Sequence, residues 1–120
     1  MKAFFLGFVA AAALNASALA QDMRNVTVVN GTGYGIKFLG FNNPGDNDWS
    51  DNELGGVLGN GQKIYVKFNN ADKGCVWNFR ISWELSGYPD VQWRNVNLCE
   101  IDTLTLKWNA NTNVTSYTAD

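Results

Sequence analysis

The sequence predicts an all-β, single-domain β-sandwich of about six to seven short, mostly antiparallel strands. Three observations carry this expectation. Apolar residues recur with period two in almost every segment after residue 24, clusters of Gly, Asn, Asp and Pro separate those segments, and no stretch repeats its apolar residues at long-helix spacing. Short alternating strands with Gly-rich turns bury one face each and close as a sandwich or small barrel.

The amino-terminal segment stands apart from this pattern. Lys2 supplies a positive start, Phe4 to Leu14 form an apolar run broken only by Gly7, and Ala18-Leu19-Ala20 places small side chains where a signal peptidase reads. The run of about 11 residues is well short of the roughly 20 that a membrane span needs. Residues 1–20 therefore read as a cleavable signal peptide, with Gln21 first in the mature chain. Residues 21–108 read as the β-sandwich domain, and 109–120 as a polar C-terminal tail or edge strand. The expected location is the periplasm or the extracellular space. No second apolar run of spanning length follows, so no membrane span is expected after signal cleavage.

The strands are expected in this order. Val26 and Val28 alternate with Asn25 and Thr27 in a first strand near 24–30. Asn30-Gly31-Thr32-Gly33 turns the chain into a second strand begun by Ile36 and Phe38, and the connection is short enough for a hairpin. Residues 42–60 are rich in turn residues and long for a loop; Ser50 to Leu54 are expected to form a single helical turn. Ile64, Val66 and Phe68 share one face of a third strand. The strongest strand is CVWNFRISWE, in which Cys75, Trp77, Phe79, Ile81 and Trp83 share the core face and Asn78, Arg80, Ser82 and Glu84 are expected to meet water. Val91 and Trp93 lie on a short strand, Asn95 to Asn97 read as a break, and Leu98 to Trp108 hold the last clear strand, with Leu104, Leu106 and Trp108 on one face. Val114 and Tyr117 are expected on a weak edge strand or a frayed tail.

Composition removes several classes of function. Without Lys2, eight of the nine basic residues remain against 11 acidic ones, a net charge of −3. Nucleic-acid binding normally needs a basic patch, so no nucleic-acid partner is expected. The chain has no His, which excludes a nucleophile–His–carboxylate triad and, with only two sulfurs, a zinc site of ordinary make-up. Cys75 and Cys99 in an exported chain predict one disulfide, with two free buried thiols as the alternative.

The remaining chemistry is sparse. Glu84, Asp90, Glu100 and Asp102 are the carboxylates available for a glycosidase-like pair, which needs separation across a cleft. Glu100 and Asp102 are two apart on one strand, and the plainer expectation is that they cap a turn or meet Arg80 or Arg94 on the surface, where Glu84 is a further carboxylate for an ion pair. Asp46, Asp48, Asp51 and Glu53 concentrate hard oxygen ligands in the 42–60 loop and are candidate calcium ligands, though not in EF-hand spacing; otherwise no cofactor is expected. Trp77, Trp83 and Trp108 fall on core faces. Trp49, Tyr34, Tyr88 and Trp93 are the aromatic side chains that could line a ligand patch. The function expected is that of a non-catalytic binding or accessory module for an unidentified protein or glycan. A carbohydrate- or calcium-binding module using the 42–60 loop, an inhibitor of a foreign enzyme and a small carboxylate-dependent hydrolase are the alternatives.

The runs NGTGYGIKFLGF, DNDWSDNELGGVLGNGQKIYVKF, CVWNFRISWE and VQWRNVNLCEIDTLTLKW resemble those of small exported bacterial β-domain proteins of unknown function, over roughly residues 25–108. The resemblance implies export, a compact all-β domain and a Cys75–Cys99 bridge, and implies no catalytic residue. Some members carry an argininosuccinate lyase label; that enzyme is a large, mostly helical protein, and nothing in this short β-patterned chain corresponds to it.

Overall fold

The computed structural model describes residues 23–69 and 74–120; the expected signal segment and the tip of the turn at 70–73 lie outside the described residues. Seven strands follow in order: β1 (Val26–Gly31), β2 (Ile36–Asn42), β3 (Lys63–Val66), β4 (Val76–Trp83), β5 (Val91–Asn97), β6 (Thr103–Asn109) and β7 (Val114–Ala119). They form two sheets, β3-β1-β6-β7 and β2-β4-β5. Every pairing is antiparallel except that of β1 with β6. No helix among the described residues is long and apolar enough to cross a membrane.

The period-two pattern does what the sequence reading requires of it. Val26, Val28, Leu104 and Leu106 from one sheet and Leu39, Phe41, Phe79 and Ile81 from the other are buried together in one core, which makes the molecule an all-β sandwich. Phe79 sits at its centre, stacked on Trp93 with ring centroids 4.6 Å apart and edge-on to Tyr117 of the opposite sheet at 5.5 Å. Such offset and edge-to-face pairs add to the stabilisation from area burial. At one end of the sandwich, the Cys75–Cys99 disulfide ties the chain just before β4 to the 3-10 turn Leu98–Glu100 that follows β5.

Several local expectations are corrected. β1 and β2 are not a hairpin. β1 is an interior strand with both edges occupied, by β3 and β6, so the chain must cross to the other sheet to continue. Asn30 organises this crossing from a fully buried position. Its side-chain amide donates to the carbonyls of Tyr34 (2.7 Å) and Leu58 (2.9 Å), while its oxygen accepts from the Thr32 amide (3.0 Å) and hydroxyl (2.7 Å). Gly33, at φ 93°, takes the left-handed backbone that the crossing requires and donates its N–H to Asn60.

Ile36 and Phe38 do not share a face. A β-bulge between them shifts the register against β4, so Ile36 and Leu39 both reach the core while Phe38 turns outward and lies over Gly40. Residues 95–97 are no break: β5 continues to Asn97 through a second bulge, at which Asn95 adopts φ 58° and donates its N–H to the Asn78 side chain (3.0 Å). The strand expected over Leu98–Trp108 is instead a 3-10 turn followed by β6, and 114–119 is the edge strand β7.

Ser50 to Leu54 form no helical turn. They run extended beside β2, where side chains act as a surrogate strand. The Ser50 hydroxyl accepts from Phe41 N, the Asn52 oxygen accepts from Leu39 N, the Asn52 amide donates to Lys37 O, and Glu53 N donates to Leu39 O. Ser and Asn compete with the backbone for local hydrogen bonds, and here an open sheet edge wins over a helix start.

Candidate ligand-binding groove

The outer face of β2-β4-β5 is not the solvated surface that alternating polar residues suggested. Asn42 and Asn78 are buried and bonded to each other, and Asn42 also donates to Asp46 O. Trp49 folds over this face. The Arg80 guanidinium lies between the Trp49 and Phe38 rings, 4.9 and 4.8 Å from their centroids, a cation–π sandwich. Asp90, rather than Glu84, Glu100 or Asp102, is the carboxylate beside Arg80, at 3.9 Å. The pair is partly exposed and long, so its contribution to stability is small.

The loop carboxylates are not drawn together. Asp46, Asp48 and Asp51 are exposed, and the Asp46 carboxylate accepts the Asp48 N–H. Among the described residues no group of three or more His, Cys, Asp or Glu side chains is placed to hold a metal ion. Asp51 and Glu53 belong to the extended segment tied to β2.

The aromatic residues singled out from the sequence separate into three places. Trp49 covers Arg80. Trp93 faces inward, stacked on Phe79. Tyr34 and Tyr88 come together at the end of the sandwich remote from the disulfide, where they line an open groove of about 560 Å³ with Trp83, Leu85, Pro89, Val91, Trp108, Asn113 and Thr115. That volume lies within the roughly 300–1,000 Å³ of small-ligand sites.

The groove is built from both sheets and three turns. Trp83 is the last residue of β4 and Trp108 lies near the end of β6. Each continues an inward-facing stripe whose earlier members are fully enclosed: Phe79 and Ile81 before Trp83, Leu104 and Leu106 before Trp108. The two inner faces run past the region where they cover one another, so these indoles are half-buried walls of the groove, with Trp83 still packed against the core. Tyr34, in the β1–β2 crossing, packs edge-on against Trp108 at 5.4 Å. Its backbone is held by Asn30 and by Thr32, and Gly35 O accepts from Glu84 N beside Trp83. Leu85, Tyr88 and Pro89 come from the β4–β5 turn. Asn113, at φ 57°, closes the β6–β7 turn by donating its N–H to Asn109 O.

None of the nine lining residues carries a charge at neutral pH. Their polar groups are also uncommitted. The Tyr34 and Tyr88 hydroxyls, the Trp83 and Trp108 indole N–H groups, the Asn113 side-chain amide and the Thr115 hydroxyl make no hydrogen bond to another described residue, and none of those on half-buried residues is shut off from solvent. Trp77, by contrast, is enclosed and donates its indole N–H to Gly74 O. Sequence reasoning assigned Trp83 and Trp108 to the core because their stripe phase is that of the core. The available signal was position: each is the final member of its stripe, directly before a turn rich in Gly, Pro or Asn.

Fold and site together define a small disulfide-bonded β-sandwich with an uncharged aromatic groove at one end. Comparison with protein-family models, with curated proteins and with solved structures gave no match to this chain.

Proposed function

We propose that this chain is a non-catalytic binding module, exported by its amino-terminal signal, whose ligand enters the groove lined by Tyr34, Trp83, Tyr88 and Trp108. The observation that carries this reading is the convergence of four aromatic side chains, from both sheets and two turns, on one open cleft. Large aromatic surface left accessible at a concave site is characteristic of ligand binding, since a sandwich of this size gains stability from burying such surface. The lining contains no carboxylate, imidazole, thiol or amine to act as a general base or to activate the Tyr34, Tyr88 or Thr115 hydroxyl, which favours binding over catalysis. The disulfide supports the exported location, because such bonds persist in oxidising compartments.

Two-dimensional NMR of the five indole N–H groups tests this reading with a library of small uncharged fragments. Single Trp→Phe variants assign the signals. The expected result is a ligand-dependent shift confined to Trp83 and Trp108. Hits that move Trp49 alone, or no hits at all, would overturn it.

A further inference from the structure

Resting on that reading, we infer that the groove takes a neutral glycan built of pyranose rings whose hydroxyls are equatorial, such as gluco- or xylo-configured units. A ligand must answer to two features at once. The first is the aromatic and apolar lining: Tyr34, Trp83, Tyr88 and Trp108, with Tyr34 and Trp108 edge to face, together with Leu85, Pro89 and Val91. The second is the set of six uncharged, uncommitted hydrogen-bonding groups on Tyr34, Tyr88, Trp83, Trp108, Asn113 and Thr115.

A lipid tail or an aliphatic peptide would satisfy the rings and strand the polar groups, which then lose water without replacement. A nucleotide, a sulfated chain or a polyuronate would bring charge into a lining that has no cation to receive it. An equatorially substituted pyranose meets both demands. Its two faces carry C–H groups that lie flat on aromatic rings, and its hydroxyls project from the perimeter, where they both donate and accept. Indole N–H groups donate only, the Asn amide does both, and the tyrosine and threonine hydroxyls do either. At about 560 Å³ the groove is large enough for more than one ring, which fits a chain segment better than a free monosaccharide.

The calcium-loop and Trp49 alternatives gain nothing from this geometry. Trp49 already has the Arg80 guanidinium on its face.

The test titrates the mature protein with cellohexaose, xylohexaose and chitohexaose as neutral equatorial probes. Oligogalacturonate serves as the charged probe and 1-hexanol as the apolar one. Binding is read by calorimetry and by the indole N–H signals. The inference expects at least one neutral hexasaccharide to shift Trp83 and Trp108, and to bind at least tenfold more tightly than oligogalacturonate. Tyr88→Ala, an exposed position that does not threaten folding, should weaken binding about tenfold or more. Thr115→Val should weaken it severalfold, and Trp49→Ala should leave it unchanged. Shifts of Trp83 and Trp108 by hexanol but by no saccharide would overturn the glycan inference and leave the groove reading standing. Equal or tighter binding of oligogalacturonate would also overturn it. Silence of both indoles toward every probe and toward the fragment library would bring down both.

Discussion

Asn30→Ala is the most informative single perturbation of this fold, because one buried side chain joins the sheet crossing, the loop before β3 and the groove. Asn30 is fully enclosed, and its side chain makes four hydrogen bonds, two to carbonyls and two from Thr32. They are not equally hard to replace. Leu58 O also accepts from Ile36 N at 3.0 Å, so it keeps a partner. The Thr32 hydroxyl, freed from Asn30, can turn to Tyr34 O, already 3.1 Å away. The Thr32 amide has no such substitute. Three net bonds at about 1 kcal/mol each, with one buried donor stranded, give a loss of about 3 kcal/mol and a range of roughly 2–5. For a domain of this size that corresponds to a fall in Tm of roughly 12–25 °C. Urea unfolding followed by tryptophan fluorescence measures it. Thr32→Val, which removes only the hydroxyl, should cost about 1 kcal/mol. Asn30→Asp adds a test of sign. It sets a carboxylate against two carbonyl oxygens, which raises its folded-state pKa above the unfolded value of about 3.9. Its relative stability is then fully present below that value and is lost as pH rises through the folded pKa, so the variant should recover stability on acidification. A loss below 1 kcal/mol for Asn30→Ala, or an Asn30→Asp variant that weakens as pH falls, would refute the reasoning.

Three further outcomes follow from the same geometry. Replacing both Cys75 and Cys99 by Ser should lower stability by about 3.5 kcal/mol, the loop-entropy value for a 24-residue separation, without altering groove affinity at temperatures where the variant is folded, since the bridge lies at the far end; urea midpoints and calorimetry check the two parts. Trp49→Ala should cost about 1 kcal/mol through loss of its contact with Arg80, measurable by thermal unfolding. Gly31→Ala would place a methyl group 2.9 Å from the Leu106 carbonyl oxygen of the neighbouring strand, and should destabilise by about 1–3 kcal/mol in the same assay.

Strand content was legible because alternation survives along a strand that carries no inserted residue of its own. Trp77, Phe79 and Ile81, and likewise Leu104 and Leu106, face the core as their spacing requires. Alternation failed at bulges, because an inserted residue changes phase without changing composition. Nothing in Ile36-Lys37-Phe38-Leu39 distinguishes a flat strand from one that slips between its first and third residues. Sheet membership was illegible for a different reason. A connection of four residues fits a hairpin and also a crossing between layers, and the choice depends on whether β1 still has a free edge, a fact set by β3 and β6 far along the chain. The same distance in sequence hid the use of Ser50 and Asn52. Their side chains do bond backbone groups, but those groups belong to β2 and not to a helical turn. The candidate groove was half legible: Tyr34 and Tyr88 stand among the four aromatic side chains named with Trp49 and Trp93 for a ligand patch, whereas Trp83 and Trp108 were hidden by a periodicity that reports which face a residue takes and is blind to where the opposing sheet ends.

The molecule has two places where aromatic rings gather near its surface, and their contrast bears on which one meets a ligand. Over the outer face of β2-β4-β5, Trp49 and Phe38 hold the Arg80 guanidinium between them, and the amides of Asn42 and Asn78 bond one another, Asp46 O and Asn95 N. That face engages the Trp49 and Phe38 rings internally and pairs its buried amides. Among the buried side-chain polar atoms of the described residues, Arg80 Nε alone lacks a hydrogen-bond partner, with Asp90 just outside reach. A ligand arriving there must displace contacts already made, and gains only the difference. In the groove the balance differs: Trp83 packs on the core with part of its surface and Tyr34 meets Trp108 edge-on, while the side-chain polar atoms of Trp83, Trp108, Tyr34 and Tyr88 have no hydrogen-bond partner among the described residues. A hydrogen bond that a ligand makes to those side-chain groups replaces water. The stripe that builds the core thus also builds the site: carried one residue beyond the overlap of the sheets, the same alternation turns from enclosing an aromatic side chain to presenting one.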